Sequence, residues 1–149
     1  MSTPGSRVII RRATQDDAAR VAELNGTLGY PTTKQVMLER LSRILELKTH
    51  AVFVAETPGE VVGWIHGAVQ DVLAAGKVAG IWGLVVREGS RGDGVGRRLV
   101  EAVEEWARGS GFDEVSVRSN VVRPESHAFY ERLGYIRVKT QHAYRKPVA

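Results

Sequence analysis

None of the 149 residues is cysteine. This excludes disulfides, thiolate metal sites and a cysteine nucleophile together, and it suits a reducing compartment, so the chain is expected in the cytoplasm. Long apolar runs are missing too. None approaches the ~20 residues a membrane helix needs, and the opening MSTPGSR has no apolar secretory core, so no membrane association is expected. No Gly-Lys-Ser/Thr occurs, which removes a P-loop. Gly94-Val95-Gly96 is followed by Arg97, Arg98 and Leu99, so the third glycine of a dinucleotide fingerprint is absent. There is no G-x-S-x-G elbow to make a serine the acyl carrier. The four histidines, His50, His66, His127 and His142, do not have metal-ligand spacing, and no metal is expected. Arg91-Gly92-Asp93 spells an adhesion tripeptide, but without a secretion signal that reading has no support.

What is present is ordinary for a globular protein: 43% hydrophobic and 26% charged residues. The length suits one domain, 1–149, with residues 1–6 read as a disordered tail. The net charge of +4 favours anionic ligands. Lys and Arg form no run, so nucleic acid is not an expected partner.

The most informative stretch is 81–108. IWGLVV reads as a buried strand, REGSRGDGVGRR as a glycine-rich turn and LVEAVEEWAR as an amphipathic helix. Leu99, Val103 and Trp106 recur at helical spacing, with Arg98, Glu101, Glu105 and Arg108 on the other side. Glu104 and Arg108 stand in the favourable i,i+4 order, and Gly109 and Gly111 stop the helix. The helix start offers unpaired N–H groups and a partial positive charge, to which Arg91, Arg97 and Arg98 add. Phosphate is the obvious guest.

Arg91-Gly92-Asp93-Gly94-Val95-Gly96 is an R-x-x-G-x-G turn preceded by a Leu-x-Val strand end, Leu84 and Val86. Downstream, Asn120-Val-Val-Arg-Pro-Glu-Ser-His-Ala-Phe-Tyr-Glu-Arg-Leu-Gly-Tyr135 ends in F-Y-E-x-x-G-Y. Together these resemble the GNAT superfamily of N-acetyltransferases over roughly residues 7–146. The resemblance implies acetyl-CoA as co-substrate, held by Arg91, Gly92, Asp93, Gly94, Val95, Gly96 and Arg97. Backbone N–H groups of Leu84, Val85 and Val86 would take the pantetheine arm and the acetyl carbonyl.

The remaining elements follow from local signals. Val8–Arg11 is a first strand. Thr14 can cap a helix carrying Ala18, Val21, Ala22 and Leu24, which Asn25-Gly26 ends. A capping box, Thr32-x-x-Gln35, opens a second helix with Met37, Leu38, Leu41, Ile44 and Leu45. Residues 51–56 and 61–69 form a hairpin, 71–77 a loop, 78–86 a strand, 113–119 another strand and 124–133 a helix. Residues 135–138 and 142–146 complete the chain as strands. This order is α/β, a mixed and mostly antiparallel sheet of about seven strands with four helices. In the superfamily the fourth and fifth strands splay apart around the cofactor, an acyl-CoA N-acyltransferase fold.

The implied chemistry is attack of a neutral amine on a thioester carbonyl, which needs a proton removed from the amine and one supplied to the leaving thiolate. Without cysteine, direct transfer in a ternary complex is expected. Tyr130 matches the tyrosine of the family motif and is the expected acid; the alternative is an aromatic packed on the core. Asn120 is either a pantetheine ligand or a turn former. The family has Asn seven residues before the tyrosine, where this chain has Arg123, either a phosphate ligand or a solvated side chain. The family's fourth-strand carboxylate is missing from VAGIWGL. His66 has a suitable reference pKa for the base, against a structural role. His127, His142, Glu56 and a water chain are weaker candidates. Tyr30, in the TLGYP loop between the first two helices, is either an acceptor ligand or part of a plain connection. The expected acceptor is a primary amine of a small molecule. A protein α-amine or lysine is the competing substrate, and a non-catalytic acyl-CoA-binding module is the alternative from another class. A homodimer is the assembly kept in view.

Overall fold

The computed structural model describes residues 7–118 and 124–149, so the expected tail at 1–6 lies outside the described residues. The chain forms two compact units that meet in sequence between Val117 and Arg118.

The first unit runs β1 (Ile9–Arg12), a 3-10 turn (Gln15–Asp17), α1 (Ala18–Thr27), α2 (Lys34–Leu45), β2 (His50–Thr57), β3 (Glu60–Val72), β4 (Gly76–Val86), α3 (Val95–Gly109) and β5 (Ser116–Val117). The sheet order is β1-β2-β3-β4-β5, antiparallel up to β4 and parallel between β4 and β5. Strand alternation gives each face its own cover. Val52, Val54 and Trp64 pack with Val21, Leu24, Met37 and Leu41 of α1 and α2. On the opposite face lies α3, whose Leu99 and Val103 are completely buried, as is Ile65. Each such side chain contributes about 1.5–3 kcal/mol of burial. Helix α3 sits close because β3 carries glycine beneath it. A Cβ on Gly67 would lie 3.0 Å from Val103 and 3.2 Å from Trp106, and one on Gly63 would lie 3.2 Å from Leu99.

Charge is settled at one end of this sheet. Arg11 donates to both Asp17 carboxylate oxygens at 2.9 Å and to Glu56 at 3.3 and 3.4 Å. Thr14 N–H adds a 2.8 Å bond to Asp17. Burial alone pushes the Asp17 carboxyl up, but the bonds and charge of Arg11 and the Thr14 amide outweigh it and hold the group below its ordinary value.

The second unit holds α4 (Pro124–Arg132), which ends before Gly134, a left-handed residue at φ +94°.

Several expectations need correction. The described residues form five strands, not about seven: 135–138 and 142–146 are not strands, and Ile136, Val138 and Tyr144 are exposed. Alternation supplies a face, but a strand also needs a ladder partner. The strand expected over 113–119 shrinks to Ser116–Val117, the two residues that pair with Gly80 and Ile81. The 71–77 loop is mostly strand, with β3 and β4 paired out to Val72 and Gly76. Helix α2 begins one residue later than the Thr32 box implies: Thr33 Oγ1 accepts Val36 N–H at 3.1 Å. Arg108 pairs with Glu105 at 2.9 Å, the expected partner being Glu104.

Candidate active site

Strand β4 is the element that builds the site. Its register against β3 steps from His66–Gly83 to Gly67–Ile81, which leaves Trp82 as an extra, exposed residue. This bulge turns β4 over, so Gly83 and Val85 join the α1–α2 side after Ala79 and Ile81 have faced α3. The described pairing with β5 ends at Ile81–Val117, while β4 continues to Val86. Arg87 N–H donates to Val62 O at 2.7 Å, toward β3. By alternation the amides of Leu84 and Val86 point to the other edge, and that of Val85 points to β3. Val86 O confirms the direction of that edge, since it accepts Arg91 Nε at 3.2 Å.

The chain then enters the glycine turn. Gly92 and Gly94 have φ of +90° and +81°, a region where a side chain is strained. Gly94 is the N-cap of α3 and supplies no side-chain cap, so the first N–H groups of a 15-residue helix have no side-chain acceptor. Asp93 therefore stands one residue ahead of the cap and is exposed. Val95 is buried and anchors the turn to the core. Arg91 and Arg97 are exposed, and among the described residues Arg97 has a 3.7 Å pair to Glu101. Arg98 differs: it is half-buried and donates to Val8 O, so its charge is committed inward.

His66 lies on the α1–α2 face of β3, between Val52 of β2 and Gly83 at the bulge. Its Nε2 is 2.9 Å from Nδ1 of His50, the first residue of β2. Burial, and then the charge of His50, pull the His66 pKa down to about 4, so near neutrality the ring is an uncharged base. Two residues earlier on the same face, Trp64 Nε1 is a buried donor with no partner among the described residues. Neither His50 nor Trp64 stands out in the sequence. The hairpin register carried the signal for His50, because it sets positions 50 and 66 on adjacent strands and one face.

Tyr30 is 65% exposed in the α1–α2 loop, which Asn25 holds by donating to Tyr30 O at 2.7 Å. In the second unit, Tyr130 is half-buried and meets Phe129 and Tyr135 edge to face, with centroids at 5.0 and 5.7 Å. Burial pushes its phenol up to about 12, which keeps it protonated. Asn120 and Arg123 lie outside the described residues. A separate groove of about 660 Å³ between β1 and α3 mixes both signs of charge, with Arg12, Arg98 and Arg108 beside Glu101, Glu104 and Glu105. Among the described residues, no three His, Asp or Glu side chains gather as a metal site, and no helix is long and apolar enough to cross a membrane.

A strand edge whose described pairing stops at Ile81 runs into an uncapped, glycine-turned helix start, and the chain belongs to the acetyltransferase (GNAT) family, whose pattern it matches over residues 18–135. It is similar to the aminoglycoside N(6')-acetyltransferase type 1 of Stenotrophomonas maltophilia, 32% identical over 144 residues that span 93% of each chain. It is also similar to the aminoalkylphosphonate N-acetyltransferase of Salmonella typhimurium, 38% identical over 78 residues, or 52% of this chain and 51% of that one. The aminoglycoside N-acetyltransferase AAC(6')-Iy, solved in complex with CoA, superimposes with a TM-score of 0.84 at 22% identity, covering 93% of this chain and 94% of that one.

Proposed function

We propose that this acetyltransferase moves the acetyl group of acetyl-CoA to a primary amine of a small molecule, by direct attack in a ternary complex within one domain. The observation that carries this reading is the outer edge of β4 leading into the uncapped start of α3. Leu84 and Val86 offer N–H groups to the pantetheine arm there, in the place a splayed fifth strand leaves open. The turn from Arg91 to Gly96 and the first amides of α3 meet the diphosphate, with Arg97 beside it. Asn120 toward the pantetheine and Arg123 toward a CoA phosphate are the further cofactor contacts, where this chain departs from the family motif.

The residues divide the proton work. His66, uncharged and opposite the bulge, takes the proton of the amine, which the carboxylate-free β4 cannot do. Tyr130, held protonated, gives its proton to the thiolate that leaves. Tyr30 contributes to the acceptor wall. The names of the two relatives, one acting on aminoglycosides and the other on aminoalkylphosphonates, support a small amine in preference to a protein lysine or α-amine.

Thiol release from acetyl-CoA across a panel of small amines and peptides tests the reading. Turnover with small amines is expected, with Tyr130→Phe lowering kcat by about 10²-fold at unchanged acetyl-CoA affinity. Turnover confined to peptides would overturn the acceptor assignment. An unchanged kcat in Tyr130→Phe across the pH range would reduce that residue to packing.

A further inference from the structure

We infer that His50 is the proton exit for His66, so that the two imidazoles form a relay leading from the bulge of β4 to solvent. The inference rests on the reading of His66 as proton acceptor and assigns it a partner.

Geometry supplies the wire. His66 Nε2 and His50 Nδ1 are 2.9 Å apart, the planes differ by 16° and the ring centroids are 5.1 Å apart. The centroid separation exceeds the nitrogen separation by about two ring radii. The rings therefore meet edge to edge in nearly one plane, not face to face, and a lone pair on one nitrogen points along the N–H of the other. His66 sits mid-strand opposite Gly83, whereas His50 opens β2 after a turn in which its N–H bonds Leu47 O at 3.2 Å. Both rings are half-buried; one end of the wire faces the bulge, and the other is a strand terminus.

Other charges on this face are committed elsewhere. Among the elements that cover it, Asp17 is tied to Arg11, Glu56 likewise, and Arg20 to Glu23 and Glu60. The charged residues of α2 (Lys34, Glu39, Arg40 and Arg43) are exposed, and β4 carries no charge from Val78 to Val86. His50 is the titratable group that faces His66.

The proton count closes. With hydrogen on His66 Nε2 and on His50 Nε2, His66 Nδ1 holds the free lone pair. That lone pair takes a proton from the substrate ammonium, the Nε2 proton passes to His50 Nδ1, and His50 Nε2 gives its proton to water. One proton enters and one leaves, both rings end neutral with their tautomers exchanged, and exchange with water resets them. The relay explains how a half-buried imidazole with little capacity to stay charged can serve as the acceptor: it never has to keep the proton.

The test uses the full-length protein and compares His50→Gln, His50→Ala and His66→Gln. Gln at position 50 can still hydrogen-bond the ring but cannot pass a proton through. Expected for both His50 variants is a kcat about tenfold lower with KM values unmoved, and for His50→Ala a recovery that rises with added imidazole. A kcat in His50→Gln equal to that of the unsubstituted protein at every pH, while His66→Gln is impaired, overturns the relay and leaves His66 as acceptor. An unimpaired His66→Gln removes the acceptor reading itself. The nitrogen spectrum of the folded, unsubstituted protein is independent of any variant: it should show a neutral pair exchanging one hydrogen, and a doubly charged pair near neutral pH would sink the relay.

Discussion

Two polar clusters occupy the same face of the sheet, at opposite ends of β2, and differ in what they leave unfinished. At the Glu56 end, Arg11 is matched by two carboxylates, and buried Asp17 accepts from both Arg11 and Thr14. That cluster is closed and its work is structural. At the His50 end, two imidazole rings share one hydrogen bond and keep two nitrogens uncommitted to each other, and His66 stands opposite a glycine at a strand bulge. A polar group with spare capacity and no counter-charge stabilises a fold poorly and suits proton transfer well.

The contrast predicts that the two ends fail differently. His66→Gln should lower kcat by about 10²-fold while the thermal midpoint barely moves, read by steady-state kinetics beside a melt. A large loss of stability with normal kcat in the folded fraction would make His66 structural. Asp17→Asn should do the reverse, costing about 2 kcal/mol in urea unfolding because an Arg11 partner is removed from a buried site, with kcat per folded molecule preserved.

The same clusters should separate on a pH axis. The folded His66 pKa is depressed from 6.5 to about 4, so the unfolded chain binds the proton first and stability falls as pH drops through that window. The folded Asp17 pKa lies below 3.8, so its contribution is complete above that value and is lost only as pH falls further. Urea midpoints measured from pH 7 to 3 should show two steps; His66→Gln should erase the upper one and Asp17→Asn should weaken the lower. A single step in all three proteins would break the distinction.

The smallest effect concerns Asp93, exposed and one residue ahead of the α3 cap. As a fixed anion near a diphosphate it opposes binding, and solvent screening keeps the penalty small. Asp93→Asn should tighten CoA binding about two- to threefold at low salt, a gain that shrinks as salt is added in calorimetry. Weaker binding at low salt would mean that the carboxylate holds the turn in its binding shape.

Much of this was legible in the chain itself. The strand, glycine turn and helix from Ile81 to Gly109 were written in local terms: apolar period, glycines where φ is positive, an amphipathic helix with a defined stop. The hairpin and four helices were legible for the same reason, since each is decided within a few residues. What only the tertiary structure decided depends on which strand finds which neighbour. Residues 135–138 and 142–146 read as closing strands, yet the described structure gives them no ladder. Arg98 reads as added positive charge at the helix start but spends its charge on Val8 O, ninety positions away. His66 reads as one lone histidine among four until the β2–β3 register brings His50 to 2.9 Å and the bulge sets Gly83 across from it. Local signals fix φ and ψ, but pairing register and burial fix which polar atoms meet, and those contacts are made between residues that the sequence keeps apart.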